Sequence, residues 1–169
     1  MKLLHTNFFD SRLACEFQTI ALETVFVRLV NYFYGMVRSQ EFRLGNYLMH
    51  KTGVRILTVP CTYQHFSLME KDGGKDLFPV VLSAAILEKC GFVENKKYAL
   101  LPESREFIIV LPVMGSGETE IRAYVKSNKE CFGRAMINNL PISNNFYQLH
   151  QLQNLYYALT GQEWRSLDG

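Results

Sequence analysis

The stretch YQLHQLQNLYYALTGQ, Tyr147 to Gln162, contains no charged side chain apart from a histidine that can be protonated. Leu149, Leu152, Leu155, Tyr156 and Leu159 recur at the three-and-four spacing of one apolar helix face, and Gly161 supplies the stop. The amides and the histidine make the rest too polar to span a bilayer. The opposite face is built from Gln151, Gln153, Asn154 and Tyr157 beside His150. An exposed helix commonly carries ionic pairs one turn apart, yet no Asp, Glu, Lys or Arg occurs from Ala135 to Gln162. Two readings follow. The amides pack against the chain's own sheet and bond exposed backbone groups, or His150, Gln151, Gln153, Asn154 and Tyr157 form a partner surface. Interface cores are depleted in charge and enriched in tyrosine, which suits the second reading.

Upstream of this helix the pattern is mostly β. Phe42 to His50, Val54 to Val59 and Tyr63 to Met69 read as three short strands, with Lys51-Thr52-Gly53 and Lys71 to Lys75 as turns. In LFPVVLSAAILEKCGF, Leu77 to Phe92, Ser83 is placed to cap a short helix. Leu82 and Leu87 can staple its start, and Gly91 with Phe92 can close it in a Schellman turn. Glu106 to Val113 and Glu120 to Lys126 predict two more strands joined through Met114 to Gly117. Ile121, Ala123 and Val125 then face the core, and Arg122, Tyr124 and Lys126 face water. The polar loop around Ser127 to Gly133 gives way to a strand and turn in AMINNLPISNN, from Ala135. These elements predict an α+β fold: a small curved antiparallel sheet or partial barrel with a short capped helix and a C-terminal amphipathic helix.

With 169 residues, 48% hydrophobic and 20% charged, the chain has enough apolar surface to fold as one domain of ordinary size. Its 18 basic and 16 acidic residues leave a net charge of +2, a weak average attraction for nucleic acid or anionic membranes. Cys15, Cys61, Cys90 and Cys131 form no CxxC pair and read as reduced, buried thiols of a cytoplasmic protein. The apolar run Ile20 to Val37 contains Glu23 and Arg28, so no membrane span is expected.

Three pieces, RLGNYL (Arg43 to Leu48), PVVLSAAILEKCGF (Pro79 to Phe92) and HQLQNLYYALTGQEW (His150 to Trp164), occur in an order that resembles a family of short, largely uncharacterised bacterial and phage-associated proteins. The resemblance implies a cytoplasmic accessory protein of mobile elements, and it carries over no catalytic residue or cofactor. It begins at Met36. Residues 1–35, rich in Phe and Tyr, depart from the pattern and are expected to be either upstream translation into non-native sequence, with Met36 the candidate start, or a lineage-specific addition, and 36–169 a single domain.

Catalytic signatures are thin. His5, His50, His65 and His150 share no local motif with a cysteine. GSGETE, Gly115 to Glu120, precedes a strand rather than the helix that a phosphate loop requires, and Glu103, Glu106, Glu118 and Glu120 read as solvated. No metal or other cofactor is expected. The favoured function is therefore a non-enzymatic accessory or protein-interaction module, associating with a protein partner or with itself through the C-terminal helix. The alternative is a small nucleic-acid-binding barrel in which Arg43, Lys51 and Arg55 contact the backbone, with Tyr47, Tyr63 and Phe66 nearby for stacking. An enzyme of unrecognised type ranks third.

Overall fold

A computed structural model of the chain describes residues 38–96, 103–112 and 119–164, all within the compact unit Val37–Gly169. The expectations for residues 1–35 and Met36, for Cys15 and His5, and for the loop carrying Gly115 to Glu118 lie outside the described residues. The elements run β1 (Tyr47–Thr52), β2 (Arg55–Pro60), α1 (Tyr63–Asp72), β3 (Leu77–Pro79), α2 (Ala84–Lys89), β4 (Val93–Asn95), β5 (Ser104–Val110), β6 (Thr119–Lys126), β7 (Cys131–Ile137), β8 (Leu140–Pro141) and α3 (Leu149–Thr160). The fold is α+β, with two antiparallel sheets ordered β2-β1-β3 and β4-β5-β6-β7-β8. The sheets do not close into a barrel. No helix among the described residues is long and apolar enough to cross a membrane.

Local chemistry accounts for most boundaries. Gly53, at φ +63°, turns β1 into β2. Asn138 and Asn139 both take positive φ between the paired residues Ile137 and Leu140, the primed turn that suits a two-residue hairpin. At α2 the Ser83 hydroxyl accepts from the Ile86 N–H, and the Phe92 N–H returns to the Leu87 carbonyl at 3.0 Å while that of Gly91 reaches Glu88. Both ends of that helix are clamped as its sequence predicts.

Tyr63 to Met69 is not a strand. It is the body of α1, because Thr62 and the residue three ahead of it form a capping box: the Thr62 N–H donates to His65 Nδ1 at 3.0 Å. Alternation over seven residues fits either structure, and here His65 and Met69, one turn apart, are the buried positions. Leu77 to Pro79, ahead of the capped helix, becomes β3 and pairs with β1. β7 begins at Cys131, four residues before the strand expected from Ala135.

Two apolar clusters result. The larger joins one face of the five-stranded sheet (Phe107, Ile121, Ala123) to α2, α3 and Tyr47 of β1. The smaller, around Leu48, Leu77, Met69 and Phe42, lies beneath α1. Phe146 pairs with β7 through mutual N–H to carbonyl bonds with Gly133, and its ring occupies the space where a Cβ at Gly133 would stand. Gly133→Val is therefore expected to destabilise the fold by about 3 kcal/mol, as overpacking of a fixed backbone contact does. Urea unfolding measures it, and Gly133→Ala should lose less.

Candidate functional site

The three sequence motifs meet on α3. At its start, Leu149 N–H donates to the Val80 carbonyl at 2.8 Å and Leu82 N–H to that of Tyr147 at 3.1 Å, which ties PVVL to the helix N-terminus. Gln151 Oε1 accepts from the N–H groups of Tyr147 and Gln148, capping the first turn. One turn further on, Gln153 is only 5% exposed, and its Oε1 accepts from the Tyr47 N–H of β1 at 2.8 Å. Asn154 Nδ2 donates to the Glu41 carbonyl at 2.8 Å.

RLGN is the counterpart of this face. Arg43 to Asn46 form a tight turn, with the Asn46 N–H on the Arg43 carbonyl, Gly45 at φ +84°, and Asn46 Oδ1 accepting from the Arg43 N–H at 2.7 Å. The turn presents the Arg43 guanidinium to the Tyr157 ring at 3.6 Å and to the Glu163 carboxylate at 2.8 Å. The amide face thus satisfies backbone groups of its own chain. His150 and Gln153 are interior, Gln151 caps the first turn of its own helix, Asn154 bonds the distant Glu41 carbonyl, and Tyr157 carries Arg43, so Gln153, Asn154 and Tyr157 tie α3 to the segment that leads into β1.

His150 is the least comfortable member. It is 1% exposed and stacks on Phe42 with ring centroids 4.0 Å apart, and neither ring nitrogen has a hydrogen-bond partner. Burial pushes its pKa from the usual 6.5 down to about 4. The Glu41 carboxylate, 3.9 Å from Nε2 and half exposed, is too distant to hold a proton there. Between those two pH values the unfolded chain binds the proton and the folded one does not. Stability is therefore fully present above about pH 6.5 and falls as pH drops toward 4, by on the order of 3 kcal/mol once the ring is charged. His150→Phe should keep the stack, flatten the stability-versus-pH curve over that window and be at least neutral at pH 7, as followed by urea unfolding at each pH. Gln153→Leu, which strips the acceptor from the Tyr47 N–H, is expected to cost about 2 kcal/mol in the same assay.

The proposed nucleic-acid cations are not brought together. Arg43 is engaged by Tyr157 and Glu163, while Lys51 and Arg55 lie on the β1–β2 hairpin. The register pairs Lys51 with Ile56 and Thr52 with Arg55, so Lys51 and Arg55 project from opposite faces. Of the aromatics, Tyr47 is buried, Phe66 is half-buried and Tyr63 is exposed.

The second face of the five-stranded sheet is not wet. Glu106, 1% exposed, bonds Asn95 Nδ2 at 2.7 Å and lies 3.8 Å from Arg122, which is itself bonded to Glu120 and Asn139. Glu106 stands opposite Tyr124 in the register, and burial, then the Glu106 carboxylate, push the phenol's pKa up. Glu106 and Glu120 are thus buried ion-pair partners rather than solvated ends of turns. Alternation identifies a face but not whether something covers it.

Other chemical groups are occupied or unreactive. His65 accepts from Thr62 at Nδ1, so when neutral its proton is on Nε2, 3.3 Å from His50 Nδ1. Burial pushes the thiols of Cys61, Cys90 and Cys131 up to about 11, 12 and 12, and they are protonated at neutral pH. A cleft of about 340 Å³ opens beside Tyr156, Trp164 and Cys90, and Glu163 in its lining is paired with Arg43. Among the described residues, no group of three or more His, Cys, Asp or Glu is placed to hold a metal ion.

Among the described residues, apolar side chains are exposed on β2 and the turn before it, as they also are at Val93 and Val110 and at Leu140 and Ile142. Val54 is 85%, Ile56 40% and Leu57 50% exposed, and β2 is the outer strand of its sheet. The signal for this was present in the sequence. Ile56 and Leu57 are consecutive, so they apply apolar side chains to both faces of a strand whose period-two partner should be polar. No protein-family model, curated protein or solved structure matches the chain.

Proposed function

We propose that the chain is a non-enzymatic interaction module whose partner-binding element is the β1–β2 hairpin. The observation that carries this reading is β2 itself: an outer strand exposed on both faces along most of its length, with Ile56 and Leu57 uncovered together. Alternate N–H and C=O groups of an outer strand point away from its neighbour and can pair with a further strand. Natural edges are blunted by charge and proline. Here Arg55 and Pro60 stand at the two ends, and Ile56 to Val59 between them carries neither. The amide face of α3 is engaged within the chain, which moves the favoured interface from that helix to the hairpin.

A nucleic-acid role draws less support. Its cations are divided between two faces and two sites, whereas backbone recognition favours a continuous basic stripe. The interaction reading is tested by affinity capture from a lysate of the source cells, using wild type, Ile56→Glu/Leu57→Glu and Tyr157→Glu. The hairpin variant is expected to lose the captured protein with its thermal unfolding essentially unchanged, and Tyr157→Glu to retain it. Equal capture by all three proteins overturns the hairpin as the binding element.

A further inference from the structure

We infer that the hairpin takes an extended protein segment in which adjacent carboxylates precede or follow alternating apolar residues. This rests on the interaction-module reading above and specifies the partner's chemistry.

Charge complementarity carries the argument. From Tyr47 to Pro60 the hairpin holds Lys51 and Arg55 and no Asp or Glu. Neither cation is in an ion pair among the described residues, although Arg43, Arg105, Arg122 and Lys126 all are. Lys51 and Arg55 lie near the turn and project from opposite faces. A strand laid along β2 therefore meets positive charge on both of its own faces at one end. Consecutive residues of a strand also point to opposite faces. Two adjacent carboxylates at that end are the arrangement that answers both cations, Arg55 directly and Lys51 across Ile56 through its flexible stem.

Further along, Leu57 and Val59 share the face of Arg55 and call for alternating apolar residues opposite them, while the backbone ladder supplies affinity without regard to sequence. A second copy of this chain fits less well, since its own β2 brings Arg55 and Pro60 to the pairing and no carboxylate. Single-stranded nucleic acid would answer the cations but not Ile56 and Leu57, and the exposed Tyr63 stands on α1 rather than on this edge.

The test uses the full chain and two synthetic peptides, one with paired glutamates followed by alternating valine and threonine, the other with lysines in place of the glutamates. Binding is followed by backbone amide shifts of β2. The glutamate peptide is expected to bind about tenfold more tightly than the lysine peptide at low salt, and the gap should narrow as salt rises. Arg55→Glu should reverse the preference, a readout that a merely unfolded variant cannot produce. Leu57→Glu should weaken both peptides.

Equal binding of the two peptides, or a preference that Arg55→Glu leaves untouched, overturns the acidic-segment proposal while leaving the hairpin as an interaction site. Absence of peptide binding, with concentration-dependent dimer mass abolished by Leu57→Glu, overturns it in favour of a second copy. Tight binding of a single-stranded oligonucleotide that displaces the glutamate peptide overturns it in favour of nucleic acid. Shifts confined to residues outside the hairpin, with capture unaffected by Ile56→Glu/Leu57→Glu, overturn the module reading itself.

Discussion

The bond from the Tyr47 N–H to Gln153 Oε1 joins α3 to β1 across 106 positions of chain, and much else depends on it. A helix side chain that accepts from a strand's backbone fixes both the rotation of the helix and the height of the strand against it. Once Gln153 is seated, Asn154 reaches the Glu41 carbonyl and Tyr157 comes under Arg43. Leu149 and Leu152 on the same helix are then delivered to the main cluster with Phe107 and Ile121. A carboxylate at position 153 would have to be desolvated to make the same bond, which is a physical reason for an uncharged side chain there.

The same logic governs the second face of the large sheet. Cross-strand register sets Glu106 beside Tyr124 and brings Arg122 between Glu106 and Glu120, where each buried charge finds an opposite one. Arg134, opposite Arg122, keeps a buried Nε without a partner. Buried ion pairs of this kind add little to stability over an apolar replacement, but losing one partner is costly. They make the strand register exacting, because a slip of one residue would exchange this charged face for the apolar one.

With α3 and the sheet occupied internally, the hairpin is the part of the small sheet left to solvent. β1 lies between β2 and β3, and α1 covers the face that carries Leu48 and Leu77, so β1 is held from three sides. β2 has only β1. Its exposure therefore follows from sheet order, an outer position that leaves one backbone edge and both side-chain faces accessible.

Sequence alone determined what depends on neighbours in the chain. Ser83 and Gly91 bracketed α2, Asn138 and Asn139 stood where a primed turn closes, and the leucines of Tyr147 to Gln162 marked an amphipathic helix ended by Gly161. Each rests on backbone conformation or spacing within a few residues. The strand expected at Tyr63 to Met69 became α1 because alternation over so short a run is ambiguous and the Thr62–His65 cap decided it. Only the tertiary structure decided which polar groups are interior. Gln153, His150, Glu106 and Glu120 are ordinary surface residues by type, and they are buried because distant segments supply a backbone N–H, an aromatic ring or a guanidinium at the right place. It likewise decided that Arg43 is engaged while Lys51 and Arg55 have no ion-pair partner among the described residues, since a charge is neutralised by what folding brings beside it and not by its neighbours in sequence.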